Sequence, residues 1–499
     1  MKIFTAHQIK LADLYTIDHE PVSSVELMER AAGTSVEWIV EHFKSYEKVA
    51  VFCGNGNNGG DGFAIARMLY LKGLDVNVFI NKSNPQFSND ALVNFLKLKE
   101  FSGISIKDFE EAKDNNFEQT LLIDAIFGTG LSRALDGKYK EMVEWLNTQK
   151  QVKISIDLPS GLYADRITEK EATVLKSDYT LSFQFWKKAF LHPETGKYTG
   201  KAVILDINIS KEYIQHTETP DFVTDAEMVR SIFKPREDFS HKGTYGKAII
   251  VGGSYGKIGA VVMATKSTLK TGAGLTFSIT PHCGYEILQT SSPEAMFMES
   301  GDRYIEDIHL DKDAVYGIGP GLGTEPVTEE ALLRFLKTYS QPLVIDADAL
   351  NMISKDPERI GLLPVHSIIT PHPKEFERLF GSSSDSFERL ELARSVSEKH
   401  RIYIVLKDHH TQVVTPQGEV YYNVTGNSGM AKGGSGDVLT GMITSLLAQG
   451  YSPEEAAVFG VWLHGKAGDY AAERKSKEAM LPTDIIDELG TIFKELNKS

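Results

Sequence analysis

KVAVFCGNGNNGGDG, residues 48–62, decides how the first half of this chain folds. Its opening, residues 48–54, is short, apolar and closed by glycine, the pattern of a strand buried on both faces. GNGNNGGDG (54–62) reads as a turn with many free N–H groups, and FAIARMLYLKG (63–73) as the amphipathic helix it feeds. Glycine lets backbone come close to a ligand, and a helix start favours an anion. Asn57 and Asn58 occupy the middle of the turn and Asp61 enters the helix, so this is not the dinucleotide G-x-G-x-x-G fingerprint. No Gly-Lys-Ser/Thr follows, so it is not a Walker loop either. An ordinary strand-to-helix turn with an aspartate cap is the plainer reading. The density of glycine and asparagine favours a binding site.

The alternation continues outward. DVNVFI (75–80), TLLIDAIFG (120–128), KISIDLPSG (153–161), YTLSF (179–183) and KAVILDI (201–207) read as strands, with a helix at 140–149. Strands alternating with helices predict a parallel sheet covered on both faces. Residues 208–245 are polar, contain Pro220 and Pro235, and read as a linker with short local helices. The pattern then restarts. Strands are expected at 246–254, 274–280, 314–321, 342–350, 367–372 and 402–407, and a hairpin at 411–416 and 419–423. Helices are expected at 257–271, 436–449 and 453–474, the last two closing the chain. There is no close internal repeat. The expected class is α/β, with two domains at 1–215 and 225–499.

A chain of 499 residues exceeds one ordinary core, which agrees with that division. Two cysteines, Cys53 and Cys283, rule out a disulfide framework or a cysteine-rich zinc site and suit a reducing compartment. The N-terminus lacks the apolar core of a signal peptide, and no run of 18 apolar residues occurs, so a cytoplasmic protein with no membrane partner is expected. A net charge of -15 argues against a nucleic-acid partner. It leaves room for small anions held at helix starts.

Two acids end strands of the first half. Asp124 begins DAIFGTGLSR (124–133) and Asp157 begins DLPSG (157–161). Ligands of open α/β sheets gather at such strand ends. Asn58, Asp124 and Ser160 offer only oxygen donors, which suits a hard cation rather than zinc. In the second half GNSGMAKGGSGDVLTGMITSLLAQG (426–450) runs a glycine turn into an apolar helix. The N–H groups of Gly434, Ser435 and Gly436 can form an anion hole there, with Asp437 beside it to take a proton from an attacking hydroxyl. Phosphoryl transfer needs little more than positioning, charge stabilisation and a base.

GNGNNGGDG, DAIFGTGLSR and IDLPSGL resemble the N-terminal domain family of NAD(P)HX epimerases, over about residues 1–215. The resemblance implies a Rossmann-like domain that interconverts the R and S hydrates of NADH or NADPH and binds potassium. It implies a hydrate site lined by Asn57, Asn58, Gly59, Gly60, Asp61, Gly128, Thr129, Gly130, Leu131, Ser132, Arg133, Ala134, Tyr139 and Asp157. Potassium would lie on Asn58, Asp124 and Ser160, and Asp157 would do the acid–base work at the C6 hydroxyl.

KGTYGKAIIVGGSYGKIGA (242–260), GIGPGLG (317–323), VIDADAL (344–350), TPHPKEFERLFG (370–381) and IVLKDHHTQVV (404–414) join GGSGD (433–437) in a second resemblance. Over about residues 225–495 the chain resembles the ADP/ATP-dependent NAD(P)HX dehydratases, which are ribokinase-like. This implies that a nucleotide, ADP first, phosphorylates the hydrate's hydroxyl and that phosphate then eliminates. Ala260, Gly323, His372 and Asp437 would contact the hydrate. Lys407, Asp408, His409, His410 and Thr411, with Asn427 to Gly436 (Asn427, Gly433, Gly434, Ser435 and Gly436 among them), would contact the nucleotide. Magnesium would bridge its phosphates. The sequence departs from the family where Asp408, His409 and His410 replace a glycine and small residues; the two histidines read as surface residues at a hairpin start. Ser428 stands in place of a usual proline and Lys432 of a common threonine. Two other readings remain: a ribokinase-like kinase for a vitamin precursor, and a first half serving as a binding scaffold. A homo-oligomer is expected.

Overall fold

The computed structural model describes residues 1–83 and 86–498, which fall into two compact units: residues 2–219, and residues 220–499 together with Met1. The first unit is built on β1 (Lys48–Cys53), β2 (Asp75–Ile80), β3 (Ser105–Asp108), β4 (Thr120–Ala125), β5 (Lys153–Ile156), β6 (Tyr179–Phe183) and β7 (Lys201–Leu205). All pairings are parallel, in the order β3-β2-β1-β4-β5-β6-β7. Order reverses at β1 and β4, which makes their carboxyl ends the crevice where ligands bind. Separate apolar clusters cover the two faces, around Val49, Val51 and Phe63 on one and Phe52, Phe79 and Met142 on the other. Before β1, helices Ala6–His19 and Ser24–His42 each start with a capping box, Thr5 with Gln8 and Ser23 with Glu26.

The glycine-rich stretch differs from its sequence reading. The helix starts at Asn57, six residues before the expected Phe63, with Gly56 as its cap. Most of GNGNNGGDG is therefore helix. A Cβ on Gly59 would collide with the Gly54 carbonyl, one on Gly60 would lie 2.7 Å from Met28 Sδ, and one on Gly62 would lie 2.6 Å from Ala125 Cβ. These glycines let the helix lie close to the turn after β1 at Gly59, to neighbouring helices at Gly60 and to the sheet at Gly62. We expect Gly59→Ala to destabilise the first unit by about 1–3 kcal/mol, read as a lower denaturant midpoint.

The second unit carries β8 (Asp221–Thr224), β9 (Lys247–Val251), β10 (Leu275–Thr280), β11 (Met296–Glu299), β12 (Val315–Ile318), β13 (Val344–Ile345), β14 (Ile368–Ile369), β15 (Tyr403–Leu406), β16 (Gln412–Val414) and β17 (Val420–Asn423). Their order is β11-β10-β9-β12-β13-β14-β15-β16-β17-β8. β9 to β15 are parallel and repeat the strand order of the first sheet; the expected hairpin β16–β17 is antiparallel. The expected linker holds β8, which pairs parallel to β17. The expected strand 342–350 is only β13, because Asp346 starts a helix, Ala347–Ile353. A third helix, Pro482–Leu496, follows the two expected to close the chain. Helix Ser435–Ala448 is buried along most of its length, in a cluster with Val344 and Phe459. Among the described residues no helix is long and apolar enough to cross a membrane. Cys53 and Cys283 are both free thiols.

Candidate active sites

At the carboxyl ends of β1, β4 and β5 the first unit opens into a cavity of about 560 Å³. Gly56, Asn57, Asn58, Asp61, Gly128 to Leu131 and Asp157 line it, as do Asp13, Asp90 and Phe127. Gly59 and Gly60 do not, since both are packed inward. Arg133, Ala134 and Tyr139 line a neighbouring cavity of about 450 Å³, and Phe127 and Leu131 line both. Ser132 is exposed and its carbonyl accepts from Arg166. The Tyr139 hydroxyl is buried without a hydrogen-bond partner.

Asp157 follows β5 with a left-handed backbone, φ 66°. Few non-glycine residues adopt that conformation, and it is a recurrent feature of functional turns. Its Oδ1 lies 2.8 Å from Nζ of Lys187, a lysine with a fully buried side chain. Its Oδ2 accepts from the Thr129 N–H at 3.1 Å. Burial pushes the carboxyl up, but Lys187 and the Thr129 donors outweigh it and hold the group below its ordinary value. Lys187 also donates to Ser182 Oγ and the Phe183 carbonyl. Asp13 shows the opposite balance: burial first, then the charge of Asp157, push it up to about 7. Burial and the charges of Asp157, Asp13 and Asp90 drive Asp61 well above its ordinary value.

Asp124 is buried at the end of β4 and accepts from the Ser155 hydroxyl, from both N–H and hydroxyl of Ser160, and from the Ile126 N–H. Asn58 contributes a buried side-chain amide whose oxygen and nitrogen both lack partners. A buried amide oxygen left unsatisfied is costly, and a hard cation satisfies it.

In the second unit the site is assembled from loops after parallel strands. Asp346, at the end of β13, accepts from Lys407 Nζ at 2.8 Å and from the Thr440 hydroxyl at 2.7 Å. Lys407 follows β15 and also lies 3.9 Å from Glu375. A Cβ on Gly436 would meet Lys407 Nζ at 3.4 Å, so the lysine stands beside the GGSGD turn. Asp437 lies in the first turn of helix Ser435–Ala448, whose cap Gly434 has φ 101°. Burial, then the charge of Asp346, push Asp437 up to about 7 against the opposing pull of Lys407. That value suits a general base near neutrality.

Gly434 and Gly436 N–H have no backbone acceptor among the described residues, whereas Ser435 N–H is already used by the Lys432 carbonyl. The expected anion hole of three donors therefore reduces to two. His372 caps helix Pro373–Phe380: its Nδ1 accepts from the N–H groups of Lys374 and Glu375, and Glu375 accepts from the His372 N–H. The Gly323 N–H donates to Asp348, which also meets Lys257 at 3.3 Å, and Ala260 packs near Gly321.

Other expected nucleotide contacts are committed within the protein. Asn427 bonds Gly468, Asp469 and Gly429. Asp408 pairs with Arg389 at 3.4 Å, and Lys432 with the carbonyls of Glu478 and Met480. His409 is exposed, as expected; Gly433 is exposed too, and Thr411 is half-buried just before β16. His410 is not a surface residue: it bonds the Asn423 carbonyl, and burial, reinforced by His409, lowers it to about 4.

Sequence reading missed Asp13, Lys187 and the partnership of Thr440 with Asp346. Asp13 sits on helix Ala6–His19 with no motif around it. Lys187 is one of two adjacent lysines in FQFWKKAF, and only burial tells them apart. His464 was also missed. Its Nε2 is buried and unpartnered, and burial lowers it to about 4 beside the Ser435 backbone.

Fold and sites together define an α/β protein of two units, one with an acid-lined cavity beside the unpartnered amide of Asn58 and one with a glycine turn beside the buried carboxyls of Asp346 and Asp437. The family described as NAD(P)H-hydrate dehydratase matches residues 248–491, and that described as YjeF-related protein N-terminus matches residues 24–189. A bifunctional NAD(P)H-hydrate repair enzyme of Moorella thermoacetica is 33% identical over all of this chain and 98% of its own length. That of Escherichia coli K12 is 32% identical over 98% of this chain and 93% of its own. The chain belongs to the bifunctional NAD(P)H-hydrate repair enzymes, which excludes a plain vitamin-precursor kinase and a mere scaffold as readings of the whole. A solved structure of the ADP/ATP-dependent NAD(P)H-hydrate dehydratase of Bacillus subtilis, co-crystallised with ATP/Mg2+, is 30% identical. It covers 55% of this chain and 98% of its own, with a TM-score of 0.49.

Proposed function

We propose that the first unit epimerises R- and S-NAD(P)HX in the cavity at Asp157, and that the second unit dehydrates the S hydrate with ADP or ATP at Asp437. The observation that carries this reading is the pair of opposed carboxyl environments. Asp157 is held ionised by Lys187, and Asp437 is tuned near neutrality beside Lys407.

In the second unit Asp437 removes the proton of the substrate hydroxyl as that oxygen attacks the terminal phosphorus of the nucleotide. The N–H groups of Gly434 and Gly436 and the Lys407 ammonium balance the charge of the moving phosphoryl group. Phosphate then leaves the carbon, and a ring proton is lost to restore the double bond of NAD(P)H. Magnesium would be held through the nucleotide's phosphates and would neutralise their charge. The carboxylate of Asp346 is already engaged by Lys407 and Thr440, and that of Asp348 by Gly323 and Lys257. In the first unit Asn58, Asp124 and Ser160 would hold potassium, whose charge would support the negative groups around it. The unpartnered Asn58 oxygen is the feature that fits. We place the protein in the cytoplasm as a homo-oligomer, with cofactor hydrates and nucleotide as its partners and neither nucleic acid nor membrane among them; the two free thiols suit that compartment.

With S-NADHX and ADP, the expected result is one AMP and one phosphate for each NADH formed. NADH formed without nucleotide consumption would overturn the dehydratase mechanism.

A further inference from the structure

Epimerisation at C6 inverts a carbon that carries a hydroxyl and the ring nitrogen N1. Breaking the C6–O bond requires a proton on the departing oxygen, and rebuilding it on the other face releases one. Asp157 is poorly placed to give that proton, because Lys187 at 2.8 Å and the Thr129 N–H both bind its ionised form. The cavity it lines is shared with Asp13, on helix Ala6–His19, and with Asp61, in the second turn of helix Asn57–Leu71. Among the described residues the Asp13 carboxyl makes no hydrogen bond or ion pair. Resting on the epimerase reading of this cavity, we propose that Asp13 is a catalytic residue, the proton donor of epimerisation, acting beside the Asp157–Lys187 pair.

The step balances without any redox partner. Asp13 gives its proton to the C6 hydroxyl, and the C6–O bond breaks with its electron pair leaving on water. The N1 lone pair closes an N1=C6 double bond, and the ionised Asp157 faces the resulting cation. Water adds to the opposite face, the double-bond pair returns to N1, and the proton the water sheds passes to Asp157. Exchange with solvent resets both carboxyls. A carboxyl pushed up to about 7 can both give a proton and regain one near neutrality. Burial, with the charges of Asp157, Asp13 and Asp90, drives Asp61 well above its ordinary value. The other charged groups around Asp13 are Lys10 on its own helix, Asp61, Asp90 and Asp157 in the cavity wall, and Lys187 behind Asp157.

The test follows interconversion of separated R and S hydrates with nucleotide withheld. Asp13→Asn should slow it about 100-fold or more, Asp13→Glu should recover part of the rate, and both should dehydrate the S hydrate normally. The wild-type epimerisation rate should fall as pH rises through about 7, where Asp13 loses its proton. An Asp13→Asn rate within about threefold of wild type, or loss in Asp61→Asn alone, overturns the proposal. If Asp13→Asn does not fold, a wild-type profile flat through neutrality overturns it instead. A wild-type enzyme that interconverts nothing would sink the epimerase reading itself, a separate outcome.

Discussion

Asp437→Asn should abolish nucleotide-dependent formation of NAD(P)H, by about 10²–10⁴-fold, while R and S hydrates still interconvert at the wild-type rate. The size follows from the loss of a general base whose carboxyl lies next to the donors of Gly434 and Gly436. Asparagine keeps the shape and takes no proton. The stability cost should be small. Asp437 is pushed up to about 7 by burial and by Asp346, so its charge opposes rather than supports the fold. The wild-type dehydration rate should rise with pH through about 7, because the base works only after losing its proton. Assaying NADH from purified S-NADHX across pH checks both statements. Wild-type dehydration by the variant would move the base elsewhere.

The second large effect is at Lys187. Its ammonium is fully buried and pairs with Asp157 at 2.8 Å, with Ser182 and Phe183 taking its remaining protons. Lys187→Met removes the cation and leaves a buried carboxylate without its partner. Breaking a buried pair from one side costs about 3–5 kcal/mol. The Asp157 carboxyl, now shaped mainly by burial, should titrate upward. Its depressed value in the intact protein means the pair adds stability above the unfolded carboxylate range, and that this is lost as pH falls through the folded value. Chemical denaturation should show the drop for Lys187→Met, and Lys187→Met with Asp157→Asn should regain much of it. Epimerisation should be lost in both. A single variant as stable as wild type would show that the pair is not holding this turn.

Much of this was legible in the chain itself. Buried parallel strands announce themselves as short apolar runs ended by glycine, and fourteen of the structure's strands lie within the segments read as strands or hairpin. Three features were not legible. The start of helix Asn57–Leu71 was hidden because its first turns are rich in glycine and asparagine, poor helix formers that are used here for close packing. β8 was hidden in a polar stretch, because an edge strand needs little apolar patterning and gains its place only by pairing with β17. The commitments of Asn427, Asp408 and Lys432 were hidden because hydrogen bonds to distant carbonyls and ion pairs leave no local pattern. Strand-end acids such as Asp124 and Asp157 could be found from their turns. Asp13 and Lys187 become visible only once the fold brings separate segments around one cavity.

The most direct measurement takes purified protein, an equal mixture of R and S hydrates, ADP or ATP, magnesium and potassium, and follows the absorbance of the reduced cofactor. Two working units predict complete conversion of both hydrates. Arrest after the S hydrate alone would contradict the epimerase half, and no conversion with either nucleotide would contradict the assignment of the dehydratase site around Asp437.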